Sequence, residues 1–245
     1  MIARMALPLL GGTPAVWAIA MCFFQAVLLG GYAYAWALNR YLKPVQAVGF
    51  HVALMAASWF ALPVELAAGG LPMGGATAGL SLIALFATSV GYPFFFLSAT
   101  APLLQSWFAR TSHGDAQNPY FLYSASNIGS LGALVAYPFL IEPAIGLHRP
   151  SILWGAGFMV LVAAIAVCGL LMIRHQAAAP LAVADNDNAE AITWQKRAWW
   201  IFMSFVPSAL LVAWTNHITT DIASAPFLWL PPLMLFLLTF ILVFR

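Results

Sequence analysis

The chain has 245 residues, 63% of them hydrophobic and 7% charged, with a formal net charge of +2. Soluble domains carry about 25% charged residues, so this composition excludes a fully wetted globular surface and points to an integral membrane protein. So small a net charge, with no basic run, also excludes a nucleic-acid-binding role.

The N-terminal stretch MIARMALPLLGGTPAVW has no clear small-residue cleavage site, and it reads as retained rather than as a signal peptide. Seven spans are predicted from the apolar runs. The first covers roughly Pro14 to Leu38, with Pro14 suited to a helix's first turn. Cys22 lies inside it, and Cys168 lies inside the fifth span. Neither has CxxC or CxxH spacing, so both read as small buried side chains rather than a disulfide or metal pair.

The second span runs from Pro44 to about Leu62 and carries His51, an ionisable residue at membrane depth. A proton relay and a neutral, hydrogen-bonded imidazole are the two readings of it. A Gly/Pro loop, LAAGGLPMGG, follows. The third segment, Thr77 to Ala109, is too long for one straight crossing: about 33 uncharged residues would rise roughly 50 Å as a helix. Gly91-Tyr92-Pro93 and Pro102 predict kinks in it. One bent crossing is preferred over two, because YPFFF offers poor hairpin chemistry.

The loop RTSHGDAQ leads to the fourth span, Pro119 to about Ile141. There Tyr120, Tyr123, Asn127, Ser130 and Tyr137 fall on one helical stripe. Ala125, Gly129 and Ala133 form a small-residue ridge on a neighbouring face. With Gln105 of the third span, Tyr123, Asn127 and Ser130 are candidates either for helix packing or for the wall of a polar cavity. The fifth span is Pro150 to Ile173, and an Ala/Asn/Asp-rich linker follows it.

The sixth span is Trp199 to about Ile218, and the seventh, Pro226 to Phe244, ends at Arg245. Between them lies a polar knot that includes Asn216, His217 and Asp221. Its carboxylate is expected to tie the outer turn, at the dipole end of the last helix. His217 and Asp221, spaced i, i+4, supply half a metal site at most, so no metal is expected. Trp199, Trp200 and Trp229 are placed as interfacial anchors.

With the N-terminus outside, the inner side collects Arg40, Lys43, Arg110, Arg174, Lys196, Arg197 and Arg245, against Arg4 and Arg149 outside. That asymmetry predicts a cytoplasmic C-terminus.

The run TTDIASAPFLWLPPLMLFLLTFILVF is similar to the last membrane segment of bacterial fused major-facilitator/spermidine-synthase proteins. NPYFLYSASNIGSLGALVAYPFLIEP and PFFFLSATAPLLQSWFA resemble their middle helices. The resemblance implies a partly major-facilitator-like membrane region, in the bacterial inner membrane, preceding a cytoplasmic aminopropyltransferase-type domain. Such a domain would lie beyond Arg245. No G-x-G-x-x-G loop, carboxylate pair or Ser-His-Asp set occurs here, so neither catalysis nor a cofactor is expected of this chain.

The expectation is thus an all-α bundle of about seven transmembrane helices. Residues 1–174 form a five-helix bundle, 175–198 a cytoplasmic linker, and 199–245 a two-helix hairpin. Its role is that of a non-catalytic, anchoring or transport-like membrane domain; the alternative is an accessory subunit of a larger membrane complex. The partners expected are the lipid bilayer and either other membrane subunits or a domain after Arg245.

Overall fold

The structure, a computed structural model, describes residues 14–64, 78–145, 150–175, 193–221 and 230–244. Helix α1, Pro14–Tyr41, starts on its proline, whose missing N–H costs nothing in a first turn. Helix α2, Pro44–Ala57, does the same, and the Lys43 N–H donates to the Gln46 side chain, 3.2 Å away. A 3₁₀ turn, Ser58–Ala61, completes that span.

Helix α3 runs unbroken from Ala78 to Phe108, so this segment crosses once. In place of a sharp break it has a widened π-type turn at Ala87–Gly91, ending two residues before Pro93. Proline lacks an N–H and its ring strikes the carbonyl four residues back, and the extra residue in the turn relieves both problems. Thr88 gives its hydroxyl to the carbonyl of Ala84 at 2.9 Å within the same turn. The device recurs in α4, Phe121–Ile141, where Tyr137–Ile141 widens around Pro138.

Helix α5 is Pro150–Arg174. Helix α6, Trp194–Asp221, begins inside the stretch expected to be linker. The reason is local: the Thr193 hydroxyl accepts the Lys196 N–H at 3.3 Å, which caps the first turn. The rest of that linker lies outside the described residues. Helix α7 is described over Leu230–Val243. The other six helices are each long and apolar enough to span a bilayer.

The core sits between α1, α2, α3 and α5. Leu38, Val48, Met55, Phe96, Leu103, Trp107, Phe158 and Ile165 interlock there. A second cluster joins α1 to the first half of α3 through Phe23, Leu82, Phe86 and Val90. Helix α4 stands apart from that core and packs chiefly on α7, which the chain order assigns to a separate hairpin. The Ser124 hydroxyl donates to the carbonyl of Ile241 at 3.3 Å, and Tyr123 lies over Phe244. Helices α4 and α6 bury only 6% of their most apolar stretch, against 39% for α3.

Candidate functional site

His51 is fully buried on α2, in the middle of the helical core. Its ring neighbours are Tyr34 on α1 and Phe96 and Trp107 on α3, at centroid distances of 5.8, 6.4 and 6.2 Å. Tyr34 Oη lies 3.3 Å from His51 Nδ1, and the hydroxyl donates when that nitrogen is unprotonated. His51 Nε2 and Trp107 Nε1 are both buried, and neither has a hydrogen-bond partner among the described residues. These neighbours build an aromatic box about the imidazole, and none of them is a carboxylate to which it could hand a proton. The box fits a structural histidine better than a link in a relay.

The box also yields a prediction. Tyr34→Phe alone should cost about 1 kcal/mol, because it strands a buried nitrogen. Tyr34→Phe with His51→Leu should be close to neutral, since both polar partners then leave together. Thermal unfolding in detergent measures both. A double variant as destabilised as the two single losses combined would contradict the structural role.

The polar stripe of α4 is spread rather than gathered. Asn127 Nδ2 donates to the Tyr123 carbonyl of its own helix at 2.8 Å. Ser130 gives its hydroxyl to Ser126 at 3.1 Å and is exposed. Gln105, half-buried on α3, makes no hydrogen bond to Asn127 or Ser130 among the described residues. A Cβ added at Gly129 or Gly132 would meet nothing within 4 Å, and Ala125 and Ala133 are exposed. The ridge expected inside the bundle therefore faces away from every other helix described. Gly129→Leu, a packing defect if the ridge were interior, has open space here.

At the end of α6 the helix continues through Asp221, so His217 and Asp221 share one face by register. Thr215 donates to the Leu211 carbonyl at 2.7 Å, and Asn216 and His217 are exposed but not without partners. The Asp221 side chain and the turn it was expected to tie lie outside the described residues, as does Trp229. Among the described residues no group of three His, Cys, Asp or Glu side chains is placed to hold a metal. Cys22 and Cys168 are exposed free thiols rather than buried ones, and both face outward from apolar helices.

Trp107 and Tyr34 carry much of this site, and neither stands out in the linear pattern. Trp107 ends an apolar run beside Arg110, a place that reads as an interfacial anchor, yet it is 2% exposed. Only the register between α1, α2 and α3 reveals its role.

The helices and their core define an all-α, multi-pass, membrane-embedded protein. No protein-family model matches the chain, and no curated protein or solved structure matches it significantly.

Proposed function

We propose that this chain is a non-catalytic membrane domain whose α4 and α6 faces pack against further transmembrane helices of a larger assembly. The observation carrying this is the open small-residue ridge of α4, Ala125-Gly129-Ala133, which no other described helix covers. Burying apolar side chains gives no net gain in lipid, so helices associate through close backbone approach, which glycine and alanine permit. Such rows of small residues are enriched where membrane helices meet. Asn127 beside it keeps amide capacity that hydrocarbon cannot satisfy.

The resemblance to fused major-facilitator/spermidine-synthase proteins gives this assembly its first form: the membrane anchor for an aminopropyltransferase-type domain. An accessory subunit of a separate complex is the second form, and the exposure of both α4 and α6 favours it. Purification from native membranes in a mild detergent separates either form from a lone bundle. Wild-type protein should migrate as an assembly, and Gly129→Leu should migrate as a smaller species with unchanged thermal stability. Wild-type protein that migrates as a bare single chain would contradict the proposal.

The cation asymmetry supports a bacterial inner-membrane location, N-terminus outside and C-terminus cytoplasmic. In sealed cells, an impermeant thiol reagent should label a cysteine placed at Gly70 or Ala223 and spare one at Ala184. Labelling of Ala184→Cys would reverse the orientation.

A further inference from the structure

We propose that the cleft between the ends of α3 and α5 binds one anionic phospholipid, with an acyl chain inside and the phosphate at its rim. The cleft has a volume of about 580 Å³, within the usual range for small-molecule sites. Its walls are apolar, formed by Leu104, Phe108, Leu122 and Met172 from three spans. Its rim is polar, formed by Thr111, Ser112, His113 and His175 where α3 and α5 reach the membrane surface. The rim is held in shape: the Ser112 N–H donates to the His175 carbonyl at 3.1 Å, and the His113 ring lies 5.3 Å from Phe108.

Two further observations select the ligand. Cys168 and Leu171 line the cleft and are both exposed, Leu171 by 49%, so the cleft opens sideways where a hydrocarbon chain can enter. Arg110 and Arg174 immediately precede the rim residues Thr111 and His175, and among the described residues Asp115, 3.7 Å from His113, is the one carboxylate placed beside them. Basic side chains at a membrane surface favour anionic headgroups.

The test is native mass spectrometry of protein released from nanodiscs of equal phosphatidylglycerol and phosphatidylcholine. Wild-type protein should retain one phospholipid, with phosphatidylglycerol preferred about tenfold. Leu171→Trp, which blocks the side opening, should lose it, and Arg110→Gln with Arg174→Gln should retain both lipids equally. In parallel, N-ethylmaleimide should alkylate Cys168 several-fold more slowly in phosphatidylglycerol than in phosphatidylcholine discs, while Cys22 on α1 reacts alike in both. Wild-type protein that retains the two lipids equally, or retains neither, overturns the proposal without recourse to any variant. Equal alkylation of Cys168 in the two discs does the same.

Discussion

Gly31→Val is expected to separate the first and third helices and to leave little folded protein. A Cβ at Gly31 would overlap the Ser98 hydroxyl and come within 2.9 Å of the Phe95 carbonyl oxygen. The second neighbour is backbone and cannot swing aside. The first is already committed, because Ser98 donates to that same carbonyl at 2.7 Å. Helix α1 must then move off α3, and α1 with α3 is the most extensive helix pair among the described residues. Overpacking a tight contact costs about 1–3 kcal/mol, and more where backbone must shift. A fall at or beyond the top of that range is expected here. Gly49→Val is the control, since nothing lies within 4 Å of its added Cβ. Thermal unfolding followed by tryptophan fluorescence reads both, and similar midpoints for the two would show that the α1–α3 contact is not as close as described.

Gly169→Leu should have the second-largest effect, through α5 rather than α1. A Cβ there would overlap Cγ1 of Val48 on α2 and lie 3.3 Å from its Cγ2. Valine in a helix holds essentially one χ1 rotamer, so neither methyl can rotate away. The two helices must part, and Met55, Phe158 and Ile165 lose their interlocked contacts with them. About 2–3 kcal/mol of destabilisation follows from overpacking on this scale. Gly169→Leu with Val48→Ala should recover much of the loss, because alanine vacates the space the new side chain needs. The same unfolding assay measures the rescue, and no recovery in the double variant would place the clash elsewhere.

The contrast between these glycines and Gly129 marks what was legible in the sequence. The spans themselves were legible, because a long apolar run bounded by cations is a signal along the chain. The single crossing of Ala78–Phe108 was legible too, since Gly-Tyr-Pro bends a helix but does not turn it back. Which face of each helix meets another was not. Lipid and protein interior are both apolar, so hydrophobic periodicity fades in a membrane helix, and only polar and small residues are left as guides. Those guides marked His51 usefully, and it is buried. They also grouped Tyr123, Asn127, Ser130 and Gln105 as a packing seam or a cavity wall, whereas Tyr123 lies against α7 and Ser130 is exposed, its hydroxyl bonded within its own helix. Gly31, which follows Gly30, and Gly169 are unmarked along the chain, because a glycine in an apolar run looks the same whether it faces lipid or a neighbouring helix.

The most direct test of the packing proposal places a photo-reactive benzoylphenylalanine at Gly129 in native membranes, with Leu170 as reference. Leu170 on α5 is 55% exposed, and Val167, Ile173 and Arg174 stand one turn from it in place of a small-residue ridge. If α4 packs against helices of a larger assembly, illumination should give discrete protein–protein adducts from position 129 and lipid adducts alone from position 170. Lipid adducts alone from both positions would mean that the ridge faces the bilayer, and the proposed role would be wrong.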